Sequence, residues 1–237
     1  MKSAVIKIKA PGLRPSELWE AAWEYASRTN PRTADDGEEE RFWQEYAPHY
    51  DERSPLAALA GELMEDVCSL LDKKDRLLEV GAGTGAFTKR LAPRVGHVTI
   101  VEPSRSMYAQ LLASWPQAMP LPEAILAKWE DAPVHPGQAD VLFSANAVYR
   151  IRDMKRCLQR MDMAAARRVI LVQSVGRPYA NPLALDADGQ SMEKERADAI
   201  SDILHELGIP HVYKAFPVKR KEGVVHDVAL IHWRTRR

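Results

Sequence analysis

The sequence has almost no cysteine, no long apolar run and no surplus of charge of either sign, and each shortage removes a class of protein. Only Cys68 and Cys157 occur in 237 residues. Each falls in a helical pattern, away from metal-ligand or redox spacing, so both are expected to be packing thiols. The seven histidines are scattered and none is paired at ligand spacing, so no metal is expected, and His49, His135 and His211 read as surface or loop residues. Lys plus Arg and Asp plus Glu number 33 each, which leaves no overall field to draw the chain toward nucleic acid, a membrane surface or an acidic partner. No stretch approaches the ~20 apolar residues of a membrane helix. Residues 1–9 interrupt their apolar positions with lysines instead of forming the apolar core of a secretion signal, so a cytoplasmic protein is expected.

What remains is a chain that is 46% hydrophobic, enough for one α/β core. Its organising stretch is residues 77–87, Leu-Leu-Glu-Val-Gly-Ala-Gly-Thr-Gly-Ala-Phe, an apolar run that breaks into three glycines two apart. It reads as a buried strand followed by a turn in which Gly81, Gly83 and Gly85 expose bare backbone to a ligand. With Ala82 between the first two glycines and Ala86 in the sixth place, the same turn satisfies the looser dinucleotide fingerprint. The neighbours narrow the choice. Glu79 lies inside the strand, where a carboxylate is costly unless a cation or donor meets it. Thr84 adds a hydroxyl, and Glu102 ends the next apolar run, where its carboxylate can accept from two ribose hydroxyls. Together they describe an amino acid joined to a nucleoside.

The pattern E-x-G-x-G-x-G, followed by a strand ending in Glu102-Pro103-Ser104, resembles the class I S-adenosylmethionine-dependent methyltransferases, over roughly residue 42 to the C-terminus. The resemblance implies a Rossmann-like, doubly wound α/β fold with a seven-stranded, mostly parallel sheet that ends in an antiparallel hairpin. It also implies S-adenosyl-L-methionine as cofactor. By the same resemblance Met107 packs on the adenine, Trp129 and Glu130 lie by its amino group with Asp131 as second choice, and the aromatic segment ending in Tyr50-Asp51 covers the cofactor. Tyr46 or Tyr50 then faces the sulfonium or substrate. Related chains often carry Leu-His-His where this one has Val148-Tyr149-Arg150, so no histidine base is implied. The Asn/Asp-Pro-Pro-aromatic motif of amino-methylating DNA enzymes is missing, since Ala147 and Val148 replace its prolines.

The remaining elements follow from periodicity. Residues 5–9 alternate as a short strand, and Ser16 reads as the cap of a helix carrying Trp19 and Trp23 to about residue 28. Residues 30–40, with proline, glycine and clustered acids, read as a linker or a solvated surface loop, so residues 1–40 form an extension and 41–237 the domain. A helix is expected from the Ser54 cap to Leu71. Strands are expected near 124–127, from 139 to a break at Asn146, which faces the cleft, and over 168–173. Residues 174–190 read as an irregular functional loop with Arg177, Tyr179 and Asn181 as possible substrate contacts. Strands over 211–218 and 224–233 form the last hairpin.

The expected activity is methyl transfer from S-adenosylmethionine to a small-molecule acceptor, without nucleic acid or membrane as partner and with the oligomeric state open. Tyr149 and Tyr46 are the candidates to orient the acceptor. Two rivals are an NAD-dependent oxidoreductase, which the glycine spacing permits, and a catalytically silent S-adenosylmethionine-binding protein.

Overall fold

Apolar runs too short for buried helices become the strands of the sheet in the computed structural model, which describes residues 12–53, 61–176, 182–187, 190–219 and 225–236. They are β1 (Arg76–Val80), β2 (His97–Val101), β3 (Glu123–Ile125), β4 (Ala139–Ala145) and β5 (Ala165–Val175), joined by β8 (Val212–Lys219) and β9 (Val225–Arg234). The order across the sheet is β3-β2-β1-β4-β5-β9-β8. The first five strands run parallel, and β9 lies antiparallel to both β5 and β8. This is the expected seven-stranded α/β sheet with its terminal hairpin.

Strand periodicity divides the core into two layers. Leu78 and Val80 join Leu142, Leu158 and Ile203 beneath α1 (Pro15–Thr29), α7 (Met154–Ala164) and α8 (Arg196–Glu206). Leu77 faces the other way with Phe143, Ile170 and Phe87, against α4 (Glu62–Ser69), the single turn α5 (Thr88–Leu91) and α6 (Arg105–Ala113). Glu79 shares the second face by the same alternation, paired between Ile100 and Phe143 in the middle of the sheet.

Several sequence readings change. Ser16 does not cap α1. Pro15 already stands at the first helical position after Arg14, and the Ser16 amide and hydroxyl both donate to Glu206 at 2.9 Å, fastening α1 to α8. Residues 30–40 are not a solvated linker. They hold a 3₁₀ turn, Pro31–Thr33, and the start of α2 (Asp36–Tyr46), whose cap is the Asp35 carboxylate accepting from Gly37 and Glu38. The clustered acids thus fall in a first turn, where the helix dipole favours them, and the boundary drawn at residue 40 lies inside α2. Within the stretch expected to be irregular, residues 183–187 form a strand instead: β6 (Leu183–Ala187) pairs antiparallel with β7 (Gln190–Lys194), and Leu183 packs near α1. The strand expected near 124–127 spans only Glu123–Ile125. The expectations for residues 5–9, for the helix start at Ser54 and for Arg177, Tyr179 and Asn181 lie outside the described residues.

Helix α1 is part of the core. Trp19 is fully buried, its indole N–H donating to the Ile151 carbonyl at 2.8 Å, and Trp23 donates to the Arg150 carbonyl at 2.7 Å. Trp19→Ala should therefore cost about 3–5 kcal/mol, as large-to-small changes in tight cores do. Denaturant unfolding should show it as a lower midpoint of a single transition; a separate early transition with an unchanged main one would mean that α1 is an independent appendage.

Candidate active site

A cavity of about 610 Å³ opens off the carboxyl ends of β1, β2 and β4, where ligands of doubly wound sheets lie. Its floor begins at the glycine turn. Gly81, Gly83 and Gly85 all have positive φ, at 74°, 57° and 76°, the region L side chains avoid. At Gly81 a Cβ would stand 2.1 Å from the Ala147 Cβ, and at Gly83 one would stand 3.2 Å from the Met107 Cε. The turn is thus shaped to bring backbone, not side chains, to the cavity.

Beside it, Glu102 is buried with both oxygens engaged: Oε2 accepts from the Gly83 amide at 2.8 Å and Oε1 from the Ser104 amide at 2.9 Å. Burial pushes its pKa up to about 7, although those two amides act in the opposite sense. Ser104 also caps α6, its hydroxyl accepting from the Met107 amide at 3.1 Å. Glu79 lies deeper. It is 2% exposed, and its Oε2 has no hydrogen-bond partner among the described residues. Burial pushes it up to about 8, with the adjacent Thr88 hydroxyl opposing and the Glu102 charge reinforcing the shift.

The roof comes from the N-terminal helices. Glu39, 5% exposed, accepts from Arg32 Nε at 2.9 Å, from the Trp43 indole at 2.8 Å and from the Tyr149 hydroxyl. Burial and the Glu39 charge push the Tyr149 phenol well above its usual range. Asp36 reaches Lys128 at 2.5 Å and Arg150 at 2.8 Å, and Glu40 accepts from the Ser106 amide and hydroxyl at 3.0 and 2.8 Å. Burial alone would raise the Asp36 carboxyl, but its two cationic partners hold it below the usual value. Tyr50 completes the lining on this side.

Of the residues singled out in the sequence, Gly81, Gly83, Glu102, Pro103, Ser104, Met107, Trp129, Glu130, Asn146 and Tyr149 line this cavity. Glu79, Ala82, Thr84 and Gly85 stand behind the wall. Thr84 donates to Asp51 at 2.5 Å and so ties the turn to the roof segment. Tyr46 does not reach the cavity; its ring stacks on Phe42, 5.2 Å between centroids. Asn146 occupies the left-handed region at φ 51° and is locked by Ser174, whose amide donates to Oδ1 at 2.8 Å while Nδ2 donates to the hydroxyl at 2.9 Å. The residues missed were Arg32, Asp36, Glu39 and Glu40. Their signal was Asp35 as a cap, which puts Asp36, Glu39, Glu40 and Trp43 at helical spacing on one face.

Residues 77–167 match the methyltransferase-domain family, while no curated protein matches the sequence. Among solved structures, the S-adenosylhomocysteine complex of DhpI is 18% identical and aligns over 93% of this chain and 98% of its own, with a TM-score of 0.53. The magnesium protoporphyrin IX methyltransferase of Synechocystis, also with S-adenosylhomocysteine bound, is 12% identical over 82% and 99%, TM-score 0.53. A putative RNA methyltransferase of Pyrococcus horikoshii is 14% identical over 73% and 80%, TM-score 0.50. Residues 77–167 thus match a methyltransferase domain, on a fold shared with S-adenosylmethionine-dependent methyltransferases whose acceptors, a porphyrin and RNA among them, differ widely.

The residues present fit that cofactor. The side-chain-free approach at Gly81 and Gly83 suits a ligand lying on the backbone, the orphaned Glu79 oxygen lacks the cation that an ammonium group supplies, and Glu102 has lone pairs left for hydroxyl donors. Glu102→Ala should weaken S-adenosylhomocysteine binding at least about tenfold, since each bond to a charged group is worth roughly 1.5–3 kcal/mol. Calorimetric titration checks this, and NAD should show no saturable binding; unchanged affinity in the variant would remove Glu102 from the site.

Proposed function

We propose that this enzyme methylates a small-molecule acceptor held in a second chamber of about 430 Å³ that adjoins the cofactor cavity and shares Trp23, Thr33, Glu39, Asn146, Tyr149 and Arg150 with it. That shared wall is the observation carrying the reading: two spaces of metabolite size meet across residues fixed by buried hydrogen bonds, under a roof of α1 and α2. S-adenosylmethionine, when bound, supplies a methyl group already activated by the sulfonium. The chain's own task is then to bind, orient and exclude water.

Glu102 and the glycine turn bind. The Asn146 amide, fixed by Ser174, and the Tyr149 ring set the wall between the two spaces. Tyr149 Oη keeps its proton, because Glu39 accepts from it and burial disfavours the phenolate. Tyr149 therefore orients an acceptor and does not deprotonate it. Glu39 is held by three donors, which leaves it a positioning residue. The Lys128 and Arg150 pairs to Asp36, the Glu40 bonds to Ser106 and the Thr84 bond to Asp51 fasten the roof over the cofactor.

A turnover assay with a panel of phenols, amines and carboxylates tests the activity, a silent binder giving no methylated product. With an acceptor in hand, Tyr149→Phe should raise KM about tenfold and leave kcat within about tenfold. Loss of a general base would instead cost roughly 10²–10⁴ in kcat, and that outcome would contradict the orienting role.

A further inference from the structure

Asp36, Glu39 and Glu40 all line the cofactor cavity from α2, and they are not equally compensated. Asp36 lies between Lys128 and Arg150, and Glu39 takes Arg32, the Trp43 indole and the Tyr149 hydroxyl. Glu40 has neutral partners only. Its Oε1 accepts from both the amide and the hydroxyl of Ser106, at 3.0 and 2.8 Å, while Oε2 has no hydrogen bond and the carboxylate no ion pair among the described residues.

Ser106 is the second residue of α6, whose cap Ser104 holds the Met107 amide and donates its own amide to Glu102. Glu40 and Glu102 are therefore seated on one helix end, Glu40 from the roof and Glu102 from the sheet, and both line the cavity. The amides at a helix start suit carboxylates, but these two acids are close enough that the Glu40 charge adds to the upward shift of Glu102. Hydroxyl donors placed between two such acids relieve the repulsion, because a bond donated to a charged acceptor is among the stronger ones. A ribose diol carries one donor for each acid.

We propose that Glu40 is a further cofactor-binding residue: its Oε2 accepts from one ribose hydroxyl of S-adenosylmethionine while Glu102 accepts from the other. The roof then touches the cofactor itself and does not merely cover it. Glu39, the preceding residue of the same helix, holds Tyr149, so this contact links the ribose to the wall of the acceptor space. The inference rests on the cofactor and is independent of what the acceptor is.

Glu40→Gln separates the roles. It keeps a carbonyl oxygen for Ser106, so the α2–α6 latch stays, and it replaces the open oxygen by a donor. The full chain, wild type and variant, is titrated calorimetrically with S-adenosylhomocysteine, its 2′-deoxy and 3′-deoxy forms, and S-inosylhomocysteine, which lacks the adenine amino group. The wild type should bind each deoxy form at least about tenfold more weakly than S-adenosylhomocysteine. Glu40→Gln should weaken S-adenosylhomocysteine and S-inosylhomocysteine about tenfold, and it should erase the penalty for one deoxy form while keeping it for the other. These penalties are ratios within each protein, so a partly unfolded variant does not imitate them. If Glu40 were only a latch, the variant would bind as the wild type does; if it acted only through its charge on Glu102, the variant would bind more tightly. Either result overturns the proposal. So does an equal loss for all four ligands, or a loss that S-inosylhomocysteine alone escapes, which would put Glu40 at the adenine amino group.

Discussion

Two carboxylates buried under one glycine turn set the terms for the rest of the molecule. Ionised groups in an apolar interior cost several kcal/mol unless something compensates them, and here burial raises both Glu79 and Glu102, with the Glu102 charge adding to the shift of Glu79 and the Glu40 charge to that of Glu102. Glu102 is compensated by the Gly83 and Ser104 amides, which is possible only because the turn adopts backbone angles open to glycine and because Ser104 begins α6. Glu79 has no such relief at its second oxygen. The parallel register of β1 between β2 and β4 places Glu102 at the cavity's edge and Glu79 behind its wall. A ligand with a cationic group and hydroxyl donors completes what the fold leaves unfinished.

The second constraint is the roof. Beside the apolar packing of α1, hydrogen bonds and ion pairs fasten the roof: Trp19 and Trp23 hold the segment after β4, while Asp36, Glu39 and Glu40 grip Lys128, Arg150, Tyr149 and Ser106. The same contacts divide the interior into two chambers. Glu39 and Tyr149 form part of the partition.

Much of this was legible in the sequence because it was local. The glycine spacing, the acid two residues before it and the acid ending the next strand are fixed by chain distance, and the structure gathers the turn and Glu102 at one cavity. The apolar run of β5 and the two terminal strands follow from pattern alone. What could not be read depends on partners far along the chain. Glu39 as a buried hub requires Tyr149, 110 residues away, and a run of acids has no pattern that distinguishes a solvated face from a gripping one. Tyr46 and Tyr149 looked equivalent as polar aromatics, and only the direction of α2 sends one to Phe42 and away from the cavity. Ser16 failed as a cap because Pro15 had taken the first helical position, and a distant Glu206 claimed its hydroxyl.

The claim that the buried acids await a cation and donors is tested most directly by counting protons on binding. With Glu79 near 8 and Glu102 near 7 in the free protein, both are largely or half protonated at pH 7, and a ligand that favours their ionised forms must release protons. Calorimetric titration of S-adenosylhomocysteine at pH 7, in buffers of different ionisation enthalpy, should report release on the order of one proton, diminished in Glu79→Gln. Zero exchange or net uptake, unchanged in that variant, would contradict the account.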